Sequence, residues 1–155
     1  MSIPQGDLRL LELPAVQDLL RSRNPARLAY SWLDGTPRVV PIWFHWNGSA
    51  FVLGSPENAP KNHVIEKNPQ VALTVDGNDW PYAALLVRGS AEIEIVEGVT
   101  PEYAASAERY FGVEQGRAWV DQVRTMSPVM ARITISPSWV AFLDFQTRFP
   151  SALGI

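Results

Sequence analysis

Ser55, Asn58 and Lys61, in the segment SPENAPKNHVIEK, are the residues best placed to do chemistry. Lys61 stands where a loop dense in capping residues becomes a helix, a place where the first backbone amides lack internal partners and the helix dipole is positive. Amides, side-chain donors and one cation converging there would suit a phosphate. A solvated lysine behind two ordinary caps is the competing reading, and spacing alone leaves both open. Upstream, Val39 to Trp43 reads as a strand interrupted by Pro41, which cannot donate to a ladder. Backbone groups of Val40, Pro41, Ile42 and Trp43 are then either free to meet a flat heterocycle or simply at a sheet edge. Arg88 lies in an otherwise apolar run, where it would need an anion if buried, or would face solvent or pair with Glu92 or Glu94.

Other catalytic arrangements fail on residue type. His45 and His63 are the only histidines and neither has metal-ligand spacing with carboxylates, so no metal is expected. His45, beside Trp46, would touch a cofactor edge, bind a heme axially or serve packing. There is no cysteine, no glycine-rich phosphate loop and no nucleophile-elbow serine. Glu92 and Glu94 alternate with Ile93 and Ile95, the pattern of a solvated sheet face. No acid–base catalyst can be named from these residues. Trp43, Trp46, Trp80, Tyr82 and Trp139 give an aromatic density that fits a ring-stacking cleft or ordinary packing.

The bulk numbers narrow the class. With 155 residues, 46% hydrophobic and 19% charged, the chain is expected to form one domain over residues 1–155 with one core. A net charge of −3 without a basic run argues against nucleic acid and membrane surfaces as partners. The absence of cysteine, of a signal-like start and of any long apolar window predicts a cytoplasmic protein.

The elements that must position these residues follow from turn and period signals. An amphipathic helix is expected over 13–23, ended by Asn24-Pro25, then a strand over 27–32, turned by Asp34-Gly35. A strand over 38–46 turns at Asn47-Gly48 into another over 50–54; a helix spans 61–67, and a strand 71–76. A long extended run covers 82–96, with Arg88-Gly89 marking a bulge or a close backbone approach. Thr100-Pro101-Glu102 opens a helix to about 111, a second helix spans 115–126, and strands over 130–135 and 139–145 are separated by Ser136-Pro137-Ser138. The fold class is therefore mainly β with added helices: an antiparallel, six- to seven-stranded barrel with peripheral helices and a helical insertion at about 101–126.

The segments RVVPIW, WNG, Lys61 through Asn68-Pro69, VALTVD and VRGSAE, in that order, resemble the pyridoxamine 5′-phosphate oxidase-like family of FMN-binding split barrels, which includes deazaflavin proteins. The resemblance implies a homodimer with a flavin at its interface. Val40 to Trp43 and the strand around Thr74 and Val75 would border the ring, Ser55 and Asn58 would serve the phosphate or ribityl chain, and Lys61 would hold the phosphate. Arg88 would lie near the cofactor, contributed across the dimer. FMN is the first choice, the deazaflavin coenzyme the second, and a small molecule the substrate of an FMN-dependent oxidoreductase; a non-catalytic flavin- or heme-binding protein is the alternative. Trp43 stands where the authentic oxidases have a lysine, and the C-terminus FLDFQTRFPSALGI lacks their arginine and histidine, so the named oxidase reaction is not expected.

Overall fold

Tight turns set the first hairpins. Gly35 and Gly48 adopt φ of +83° and +97°, the left-handed conformations that the Asp-Gly and Asn-Gly turns require. In the structure, a computed structural model describing residues 2–153, these turns join β1 (Ala26–Ser31) to β2 (Pro37–Ile42), and β3 (His45–Trp46) to β4 (Phe51–Pro56). β5 (Gln70–Asp76), β6 (Ala84–Glu97) and β7 (Val129–Leu143) complete one seven-stranded antiparallel sheet in the order β2-β1-β5-β6-β7-β4-β3. The helices are α1 (Pro14–Arg21), α2 (Pro60–Lys67), α3 (Pro101–Phe111) and α4 (Val113–Met126), with a 3-10 segment, Leu8–Glu12, ahead of α1.

The order of strands forces the sheet to curl. β2 and β3 are its two edges, yet only Trp43 and Phe44 separate them in the chain. Three Cα steps span at most about 11 Å, whereas a flat seven-stranded sheet would hold its edges about 29 Å apart. The edges therefore come together, giving a barrel split between Ile42 and His45. Pro41 fits this position: β2 carries it opposite Arg27, on an edge strand where a missing amide costs the sheet nothing.

Alternation fills the interior. Leu28, Leu73, Val87 and Val140 lie across from one another on four strands, and Phe51, Leu53, Ile133 and Ile135 face them from the other side of the curl, all nearly or fully buried. α1 closes one part of this core with Val16, Leu19 and Leu20, and α2 contributes Ile65.

Three features differ from the sequence expectation. The strand expected over 38–46 is broken at Trp43 and Phe44 into β2 and β3, because the chain crosses there from one edge of the sheet to the other. The opening helix is shorter than 13–23 and is preceded by the 3-10 segment, whose N-cap Asp7 accepts from the Arg9 amide at 2.9 Å. The two closing strands are one, β7, running unbroken through Ser136-Pro137-Ser138. Its partner explains why. Gly89 pairs with Pro137 and Arg88 with Trp139, so Ser138 is absorbed as the extra residue of a bulge. Gly89 is required there, since a Cβ would lie 2.3 Å from the Ser136 carbonyl oxygen.

Candidate functional site

α2 begins with the residues that local chemistry singled out. Its N-cap is Ala59, which offers no side-chain cap, and Pro60 occupies the first turn, so the opening amides meet no side-chain acceptor. Neither Ser55 nor Asn58 caps the helix. Ser55, on the inward face of β4 with Phe51 and Leu53, instead accepts a hydrogen bond from Lys61 Nζ at 2.6 Å. Burial holds the Lys61 ammonium below the ordinary lysine range. Among the described residues no carboxylate pairs with it.

Asn62, which sequence reasoning passed over, ties this corner together. It is 5% exposed and donates through Nδ2 to the carbonyls of Pro56 and Glu57 at 2.9 and 3.1 Å, fixing the loop ahead of α2. Its Oδ1 has no partner. The two carbonyls dictate the amide's orientation, so that oxygen is a genuine unmet acceptor rather than a misplaced nitrogen. The available signal was an asparagine inside a helix, where its competition with the backbone is normally unfavourable. Asn58 itself is exposed on the loop, beside His63 and Glu66.

The remaining predicted residues fall into two groups. Ladder partners share a face, so Pro41 and Thr74, aligned through Arg27, lie on the outside of the sheet, as do Ala72 and Arg88. Val39, Ala29 and Leu86 complete a mostly apolar surface; Val39 is 66% exposed. Arg88 is exposed, its guanidinium 3.9 Å above the Trp139 ring, and pairs with neither Glu92 nor Glu94. Val75 is fully buried and Val40 and Ile42 pack against the core, so these three offer the outside little but backbone. In a single chain, then, Lys61 and Ser55 stand apart from the face carrying Pro41, Thr74 and Arg88.

Trp43, at the split, is held by α3. Its ring stacks on Tyr110 at 5.0 Å and 15°, meets Phe111 edge-on at 5.0 Å, and contacts Tyr103 at 5.6 Å. Phe44, next in the chain, is buried, and its carbonyl accepts from Ser106 Oγ and from the Arg109 guanidinium, which also bonds the Ser22 carbonyl at 3.0 Å. Thus α3 pins both residues of the split. His45 follows on β3, half-buried; burial and the nearby Arg109 charge lower its pKa, which leaves a neutral imidazole at neutral pH. No group of three or more potential metal ligands occurs among the described residues.

A barrel split between its edge strands, with a cation-bearing short helix packed against β6 and β1, defines a split-barrel class of protein. The chain belongs to the pyridoxamine 5′-phosphate oxidase family, whose pattern matches residues 13–144. No curated protein sequence matches it. Among solved structures, an F420 reductase is similar at 28% identity over 81% of this chain and 94% of its own, with a TM-score of 0.61. The conserved hypothetical protein Rv2991 from Mycobacterium tuberculosis is 18% identical over 100% of this chain and 93% of its own, with a TM-score of 0.69. HutZ, a heme storage protein from Vibrio cholerae, is 17% identical over 84% and 92%, with a TM-score of 0.60. The last two likenesses bear on the fold alone.

Proposed function

We propose that this protein is a homodimeric, FMN-dependent oxidoreductase acting on a small molecule. The observation that carries this reading is the Lys61–Ser55 pair: a half-buried cation bonded to a neutral hydroxyl, beside uncapped amides and without a carboxylate. A phosphate would supply the missing charge and take up the amides. Asn62, through its bonds to the Pro56 and Glu57 carbonyls, would hold the loop beside such a phosphate in place.

A second copy laid against the outer sheet face would give the rest of the site. That face is built from Ala29, Val39, Ala72 and Leu86, and it carries Pro41, Thr74 and Arg88 to where a ring at the dimer interface could meet them. Exposed Trp80 and Tyr82, edge-to-face at 5.3 Å, would add aromatic surface near the end of β6. The flavin, when bound, supplies the hydride chemistry; the chain's own groups bind, orient and exclude water.

A deazaflavin is the second choice, favoured by the likeness to the F420 reductase. Its longer anionic tail needs more cations beyond Lys61; of Arg21, Arg23 and Arg27, which could supply them, Arg21 is paired with Asp18 at 3.0 Å and Arg27 with Asp76 at 3.7 Å. Heme held by His45 is the non-catalytic reading, supported by its neutral imidazole. The absorption spectrum after titration with each cofactor separates the three, and a protein that takes up none of them overturns all three. Lys61→Ala should weaken FMN binding by ~1.5–3 kcal/mol, about 10- to 150-fold, by calorimetry; unchanged affinity would remove Lys61 from the phosphate site.

A further inference from the structure

The two helices inserted between β6 and β7 do more than pin the split. Between them and the outer face of β4 and β7 lies a cavity of about 330 Å³, within the range of small-molecule sites. Tyr103, Trp119, Val123, Met126, Val129 and Met130 form most of its wall, and no charged side chain lines it. It adjoins the Lys61 corner only at Ser55, which lines both but whose hydroxyl is engaged by Lys61 on the inward side of β4; Gly54 and Pro56, one residue to either side, face the helices. Gly54 lets Tyr103 and Met130 close onto the strand, since a Cβ there would fall 2.6 Å from Tyr103 Cδ2 and 2.9 Å from Met130 Sδ. The aromatic wall lies directly against β4 for that reason.

The polar groups around this cavity are nearly all spoken for. Ser127 Oγ donates to the Val129 carbonyl at 2.6 Å, and Trp119 Nε1 donates to the Tyr103 hydroxyl at 2.9 Å. That second bond uses the tyrosine oxygen as acceptor and fixes the phenol's position, while among the described residues its own O–H proton has no acceptor. A wall that is aromatic, thioether and aliphatic, uncharged throughout and equipped with one oriented O–H donor, selects for one kind of ligand.

We propose that the cavity beneath α3 and α4 binds a neutral small molecule with an aromatic or alicyclic body and one carbonyl-type acceptor, held by the Tyr103 hydroxyl. Charged molecules are disfavoured because nothing in the wall would offset their desolvation. Pure hydrocarbons bind less well because they leave the Tyr103 donor without a partner. The site does not depend on a bound flavin.

Two uncharged naphthalenes of similar size test this on the full-length protein without added cofactor: 2-acetylnaphthalene, which carries the acceptor, and 2-ethylnaphthalene, which lacks it. By calorimetry or saturation-transfer NMR the ketone should bind about three- to tenfold more tightly than the hydrocarbon. Tyr103→Phe should erase that preference while leaving hydrocarbon binding in place. Val123→Trp, which fills the cavity, should abolish binding of both; Met126→Trp, at the exposed rim, serves the same purpose if Val123→Trp fails to fold by circular dichroism. No binding of either compound, binding that survives filling in a folded variant, or a ketone preference that persists in Tyr103→Phe would each overturn the proposal. Because the readout is binding to cofactor-free protein, it succeeds or fails independently of FMN uptake.

Discussion

Lys61 carries the proposed phosphate role, and its own energetics can be tested apart from any ligand. Its ammonium is partly desolvated, bonded to a neutral hydroxyl and uncompensated, so burial places its folded pKa below the unfolded value. The unfolded chain then holds more protons in the window between the lowered folded value and the ordinary lysine value, and stability rises as pH increases through that window. Lys61→Met removes the desolvated charge. The cofactor-free variant should therefore match or exceed the parent's urea midpoint at pH 7, with the difference narrowing toward pH 10; a clear loss at pH 7 would make the Lys61–Ser55 bond structural instead. The helix start at Lys61 was legible in the sequence from its prolines and polar loop, but the bond to Ser55 was not, because it depends on β4 turning that hydroxyl inward instead of letting it cap the helix. Asn62 was not, because its value lies in a loop conformation that brings two carbonyls to its Nδ2. Trp43 was seen as a ring-bordering residue, but its stacking on Tyr110 depends on a helix more than sixty residues away in the chain, a contact that no local pattern encodes.

At the level of elements, the turns and the long hairpin carried most of the information. The glycine turns, α2, and α3 with its Thr100 cap, which accepts from the Tyr103 amide at 3.2 Å, all form near their expected bounds. Gly89 was readable as a bulge or close approach and is both. Its consequence for β7 was not readable, because Ser136-Pro137-Ser138 is turn chemistry locally and becomes strand only when a facing bulge accommodates it. Gly89→Ala should therefore be costly, since the added methyl meets backbone rather than a flexible side-chain end: about 2–4 kcal/mol in denaturant unfolding. A loss below about 0.5 kcal/mol would mean that the β6–β7 ladder shifts freely at this point.

For the whole molecule, the outer face of β2, β1, β5 and β6 decides whether the site is complete, because Pro41, Thr74 and Arg88 reach a shared ligand only if something covers that face. Ala72→Arg places a long cation in the middle of it. Sedimentation should show the parent as a dimer and this variant as a monomer, with flavin affinity lost alongside; a variant still dimeric would place the interface elsewhere. One more consequence follows from how the barrel closes. Between Ile42 and His45 no strand ladder joins the edges among the described residues, and the seam is held by three peptide links and by α3's grip on the Phe44 carbonyl. A ladder elsewhere resists parting through every rung, but this seam can breathe by rotation about a few backbone torsions. Slow amide exchange should thus concentrate in β5, β6 and β7, and exchange at the seam that carries Trp43 and His45 should depend on α3's hold on the Phe44 carbonyl rather than on any ladder.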